Sequence, residues 1–243
     1  MEIFSRTDKG MVRSSNQDAE LHGTFAGGDV WAVVCDGMGG ANGGSVASST
    51  AVEEIARNLR QSYRSEMSGN AVRDMLGNAI KSANIKVYIQ SQEDLSLRGM
   101  GTTVVAVIIS GNTAYIAHAG DSRAYLLTQS TTLRQLTTDH SVVQAMVDRG
   151  ELTADEARHH PRKNLITRAL GVKPKLDIDY CECPFADGDI LLMCSDGLSN
   201  CVEEREMCDI LRSNGGQAAV DKLIDTANKN GGSDNITAVA LCC

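Results

Sequence analysis

Four aspartates stand where apolar, strand-like runs begin or end. Asp36 closes VWAVVC at 30–35, Asp121 lies beyond AYIA at 114–117, Asp196 lies beyond ILLMC at 190–194, and Asp234 opens into ITAVAL at 236–241. A strand delivers its terminal residue to one edge of a sheet, so residues far apart in sequence can meet there. Carboxylates brought together disfavour ionisation unless something positive sits among them. An all-oxygen set of this kind suits a hard cation such as Mg²⁺ or Mn²⁺. One Asp-Gly or Asp-Ser pair is ordinarily a surface turn. The same apolar flank repeated at each of these aspartates points to a shared site instead.

Two further features carry chemistry. Arg13 precedes Asn16, Gln17 and Asp18 in GMVRSSNQDA. A guanidinium presents a fork of donors that matches phosphate oxygens. Alone it reads as a surface ion pair; beside a carboxylate-metal cluster it reads as a phosphate clamp. Gly37, Gly39, Gly40, Gly43 and Gly44 follow Asp36 and lead into a helical stretch. They fit neither GxxxxGK[ST] nor GxGxxG. The better reading is backbone that must approach something closely, with a carbonyl free to meet a cation.

The elements that would position these residues can be read from periodicity. Strand-like segments fall near 30–35, 102–109, 113–118, 123–127, 176–181, 189–194 and 236–241. Gly111-Asn112 between two of them reads as a tight hairpin turn. Helical spacing of apolar residues spans 45–62, 70–90 and 216–228, and the apolar faces read as core packing. The order is not a regular alternation of strand and helix, which favours an α+β fold with antiparallel sheets and helices layered outside. Segment 138–172 interrupts the strands. It carries a capping box at Thr153 and Glu156 and the basic run RHHPRKN at 158–164. It reads as a surface flap beside the site.

Bulk properties narrow the classes. The 243 residues suffice for one large domain or two small ones, and 42% hydrophobic residues is ordinary for a globular chain. A net charge of -8 argues against nucleic acid as the partner. No stretch reaches the roughly 20 apolar residues of a membrane span, and the polar start MEIFSRTDKG shows no signal peptide. Of the eight cysteines, Cys35 and Cys194 lie in apolar runs and read as small hydrophobes. Reduced thiols in the cytoplasm are therefore expected. Cys181, Cys183, Cys242 and Cys243 form no paired CxxC set for zinc.

Taken in order, RSSNQD, CDGMGGANGG, GTT, AHAGDSRAYL, TTDHS, LITRALG, CSDGLSN and GGSDNITAVAL resemble the bacterial metal-dependent protein serine/threonine phosphatases (type 2C, or PPM). The resemblance runs from about residue 4 to the C-terminus. It implies a four-layer αββα sandwich, two antiparallel sheets flanked by helices, with 1–243 as a single catalytic domain bearing the flap. It implies two to three Mn²⁺ or Mg²⁺ ions at one edge. Asp36 would bridge two of them and the Gly37 carbonyl would bind one. Asp196 and Asp234 would complete the first ion. Asp18 would act through water, and Asp121 with Asp196 would bind a third ion. Asn235 would orient Asp234, and Arg13 would hold the substrate phosphate. Attack on phosphorus by a hydroxide held between cations needs no protein nucleophile, and the cations with Arg13 would offset phosphoryl charge.

The chain departs from that pattern where relatives often carry a histidine and an acidic residue: Met38, Ala41 and Gln17 stand there. A leaving alkoxide benefits from a general acid. The candidates are His118 and His140, or water; His159 and His160 read as solvated flap residues. The main expectation is hydrolysis of phosphoserine and phosphothreonine on proteins, among them a serine/threonine kinase and its substrates, by a monomer. A regulatory protein with little or no turnover, and a hydrolase of small phosphate esters, are the competing readings.

Overall fold

The architecture comes from a computed structural model, which describes residues 1–130 and 132–243; the side chain of Ala41 lies outside the described residues. The chain forms β1 (Glu2–Asp8), β2 (Asp18–Thr24), β3 (Val30–Met38), α1 (Gly40–Ser62), α2 (Gly69–Glu93), β4 (Gly101–Thr102), β5 (Val104–Ser110), β6 (Thr113–Ala119) and β7 (Arg123–Leu127). There follow β8 (Arg134–Gln135), α3 (Val142–Asp148), α4 (Ala154–His159), β9 (Asp179–Pro184), β10 (Ile190–Cys194), α5 (Asp196–Ser199), α6 (Glu204–Ser213), α7 (Gly216–Lys229) and β11 (Ile236–Cys242).

Two antiparallel sheets result. One runs β1-β11-β10-β7-β8, the other β2-β3-β5-β6-β9 with β4 beside β3. Period-two alternation sorts each strand between two cores. Val30, Ala32 and Val34 of β3 meet Val239 and Leu241 of β11 in a middle layer. The intervening Trp31, Val33 and Cys35 face α1 and α2. On the other sheet, Ala238 and Ala240 face α6 and α7 through Leu211, Leu223 and Ile224. The layers are therefore helix, sheet, sheet, helix, as expected. Burial on both faces explains why β3, β5, β10 and β11 are almost continuously apolar.

The hairpin at Gly111-Asn112 joins β5 to β6, with Ser110 opposite Thr113. The capping box at Thr153 and Glu156 starts α4. The reading of sequence missed β1 and β2, whose residues are mostly half-exposed. It also placed β9 early and began α1 at 45, whereas Gly40, Gly43 and Gly44 lie inside the helix. The glycines serve close packing: a Cβ on Gly44 would stand 2.6 Å from Gln17 Oε1, and one on Gly37 would stand 2.1 Å from the Gly44 carbonyl. The flap carries α3 and α4, and its two ends are latched together by hydrogen bonds from Val142 N to Leu165 O (2.8 Å) and Thr167 N to His140 O (2.7 Å).

Candidate active site

Antiparallel pairing explains how distant aspartates converge. Asp18 starts β2 and Asp36 ends the apolar run of β3, and the two are cross-strand partners. In the other sheet Cys194 pairs with Ala238, and Ser195 N donates to Thr237 O at 3.1 Å. Asp196 and Asp234 thus leave β10 and enter β11 at the same end. Asp121 sits in the turn that carries the chain from β6 in one sheet to β7 in the other. That turn uses Gly120 at φ 117°, where a Cβ would lie 2.6 Å from Thr103. Thr103 in turn fixes Asp36: its N–H donates to Asp36 O, and its hydroxyl accepts from Asp36 N, both at 2.9 Å. The same hydroxyl bonds Ser122 Oγ at 2.7 Å.

A cavity of about 290 Å³ opens at this edge, lined by Asp36, Asp121, Asp196 and Asp234 with Arg13 and Asn235. The carboxyl groups press on one another. Burial raises Asp36 well above the ordinary range, and Asp18, Asp196, Asp121 and Asp234 add to it. Burial likewise pushes Asp18 up to about 7, opposed by hydrogen bonds from Ser195 and Thr237. Burial and then Asp196 push Asp121 to about 8; burial and then Asp234 push Asp196 to about 6. Asp18 Oδ1 and Asp196 Oδ1 are buried without a hydrogen-bond partner. Mutually repelling carboxylates with orphaned oxygens are the donor set a hard divalent cation requires.

Arg13 reaches this set from the β1–β2 loop. Its Nη2 donates to Asp234 Oδ2 at 2.8 Å, and about half of the side chain is exposed. That hydrogen bond and the charge of Asp234 raise the guanidinium pKa. Asn235 lies beside Asp234 and holds the β1–β2 loop. Its Oδ1 accepts from Gln17 N (2.8 Å), and its Nδ2 donates to Lys9 O (2.9 Å) and Ser15 O (2.8 Å). It clamps the Arg13 loop, and only its backbone N–H meets Asp234 Oδ1, at 2.8 Å. Gln17 donates from its side chain to the Gly40 carbonyl at 3.2 Å. The cavity wall also holds Gly37, Met38 and the flap residues Asn164 and Ile166. The flap pair lies in the segments RHHPRKN and LITRALG, from which the reading of sequence draws no site role for either residue.

His118 and His140 are not among the residues lining this cavity. His140 Nδ1 accepts from Gly120 N at 3.1 Å, while its Nε2 lies 3.1 Å from Asp179 Oδ2. His118 Nε2 donates to Thr138 O at 3.0 Å. Burial lowers both pKa values and favours neutral rings. Both histidines therefore brace the Gly120–Asp121 turn and the base of the flap. They lie near Asp179, yet the rings are stacked within 6° of parallel at 4.7 Å. Their in-plane lone pairs do not converge, and Arg168 already serves Asp179 at 2.6 Å.

The family description "Protein phosphatase 2C" matches residues 11–238. The chain belongs to that family. Among protein phosphatase 2C relatives, serine/threonine phosphatase stp of Listeria welshimeri is 41% identical over 239 residues, covering 97% of this chain and 93% of the relative. The solved serine/threonine phosphatase of S. agalactiae superposes with a TM-score of 0.92 at 35% identity, covering 100% of this chain and 99% of the other. The catalytic domain of the phosphatase PstP, solved with two manganese ions, gives 0.85 at 33% identity, covering 98% and 96%. In this protein phosphatase 2C member, Met38 and Gln17 line the same cavity as the four aspartates.

Proposed function

We propose that this protein hydrolyses phosphoserine and phosphothreonine in phosphorylated proteins and depends on Mn²⁺ or Mg²⁺, two to three ions, for turnover. The observation that carries the reading is the buried edge of mutually raised aspartates with free oxygens on Asp18 and Asp196. Asp36, Asp196, Asp234, Asp121 and the Gly37 carbonyl would hold the ions, with Asp18 behind them. When bound, the ions supply a nucleophilic water and offset charge on phosphorus.

The chain's own groups do the rest. Thr103 holds the Asp36 backbone from both sides, so this carboxylate has little freedom to leave the cavity. Arg13, clamped through its loop by Asn235 and half-exposed at the mouth, presents its fork to the phosphoryl oxygens. Asn164 and Ile166 bring the flap to the same cavity. No histidine lines it among the described residues, which supports water as the proton source for the leaving alkoxide over His118 or His140. Residues 1–243 act as a single catalytic domain and as a monomer, with a serine/threonine kinase and its targets among the substrates in the cytoplasm. No helix among the described residues is long and apolar enough to cross a membrane.

Turnover of a phosphothreonine peptide with added Mn²⁺, and again with excess EDTA, tests the reading. Activity that appears with Mn²⁺ and vanishes with EDTA is expected. Equal activity in both, or none in either while Mn²⁺ is bound, overturns it.

A further inference from the structure

Asp18 belongs to one sheet, and the hydroxyls that grip it belong to the other. Ser195 Oγ, beyond β10, and Thr237 Oγ1, in β11, each donate to Asp18 Oδ2 at 2.7 Å. Thr237 N donates back to Ser195 Oγ at 3.0 Å. Thr7 Oγ1 stands 2.8 Å from Thr237 Oγ1, and Asn16 Nδ2 donates to Thr7 Oγ1 at 2.7 Å. The Asn16 amide oxygen accepts from Asp18 N at 3.1 Å.

One direction satisfies this chain with Asp18 ionised. Each hydroxyl has one proton to give. Thr237 gives its proton to Asp18, so its contact with Thr7 is received from the Thr7 hydroxyl, which in turn accepts from Asn16. Ser195 receives from Thr237 N and gives to Asp18 as well; its other acceptor, Asn235 O, is more distant at 3.5 Å. In this arrangement both hydroxyl protons end on Oδ2 of Asp18. The inner part of this chain is buried: Thr237 and Ser195 fully and Asp18 nearly so, whereas Thr7 and Asn16 reach the surface. Meanwhile Oδ1, on the same carboxylate, is buried with no partner at all.

We propose that Thr237 and Ser195 are positioning residues for cation binding: they saturate one oxygen of Asp18 and leave the other presented to the ions. The inference rests on the metal-dependent reading above and deepens it. Besides Asp18, the Thr237 hydroxyl meets only the exposed Thr7 among the described residues. The same face of β11 continues with Val239 and Leu241, and a valine would keep the shape of the threonine. A hydroxyl there costs burial of a polar group and is explained by the carboxylate it serves. Outer partners of metal-binding carboxylates typically change affinity by roughly 10- to 100-fold when removed.

The test is calorimetric titration of the full chain with Mn²⁺, comparing wild type with Thr237→Val, Thr237→Ser and Ser195→Ala, and recording thermal unfolding without metal alongside. Thr237→Val is expected to bind Mn²⁺ roughly 10- to 100-fold more weakly. Thr237→Ser, which restores the hydroxyl, should return close to wild type. A shift in metal-free unfolding temperature with unchanged Mn²⁺ affinity would mean that the hydroxyl only fills the core, and the inference fails. Should Thr237→Val not fold, Ser195→Ala is expected to weaken binding in the same direction, and wild-type affinity in that variant also overturns the inference. Wild type that binds no Mn²⁺ brings down the metal-dependent reading itself, a separate result.

Discussion

At Asp196 burial and the nearby Asp234 raise the carboxyl to about 6, while Oδ1 has no hydrogen-bond partner. Asparagine would keep the shape and remove the charge. Asp196→Asn should lower Mn²⁺ affinity and phosphothreonine-peptide turnover by about a hundredfold or more, read by titration and by phosphate release. Full turnover at low Mn²⁺ would contradict the assignment. Met38 lines the cavity where a proton donor would help an alkoxide leave. Met38→His should therefore raise phosphothreonine turnover relative to aryl phosphate, by about tenfold if the ring reaches the leaving oxygen; an unchanged ratio in paired assays refutes this. The aspartates were legible because strand ends mark them. Ser195 and Thr237 were not, although Ser195 directly precedes Asp196. A buried hydroxyl and a surface one look alike in sequence, and only the pairing of two sheets brings these onto Asp18.

Between elements, Glu54 ties α1 to α2. It is almost fully buried and accepts from Arg57 and Asn58 on its own helix and from Ser82 and Lys86 on the next. Burial alone would raise its pKa, but those donors outweigh it and hold the carboxyl at about 2. A carboxyl depressed from its ordinary 4.5 stabilises the fold above that value, and the contribution disappears as pH falls toward 2. Glu54→Gln should cost about 1–2 kcal/mol at pH 7, after allowance for solvent screening of the partners. Urea unfolding should show the gap to wild type narrowing below about pH 4.5. A gap that widens on acidification would refute it. The long helices were visible through their apolar spacing, which repeats over many turns. β1 and β2 were not, because EIFSRTD and DAELHGT sit at sheet edges and half-expose most side chains. Neither develops the apolar run that marks β3.

Across the whole molecule, the cavity draws on both sheets: Asp36 from one, with Asp18 behind it, Asp196 and Asp234 from the other, Asp121 from the turn between them. Cations held there bind the folded chain alone. Mn²⁺ at about a hundred times its dissociation constant should stabilise by about 2.7 kcal/mol. For a chain of this size that is about 5–10 °C in Tm, checked by thermal unfolding with Mn²⁺ and with EDTA. The αββα layering was legible through the resemblance; the side-chain chain that joins the layers was not, since it exists only once they dock. The order β1-β11-β10 has a kinetic consequence. The last strand of the chain is threaded between the first and one formed much later, so this sheet closes only through contacts of very long sequence separation. Such contacts form slowly, whereas α1 and α2 pack against each other as sequence neighbours. On refolding, far-ultraviolet helix signal should therefore recover before Mn²⁺-dependent activity. The time between the two would report the docking of β11, which makes catalysis the final event in the assembly of this molecule.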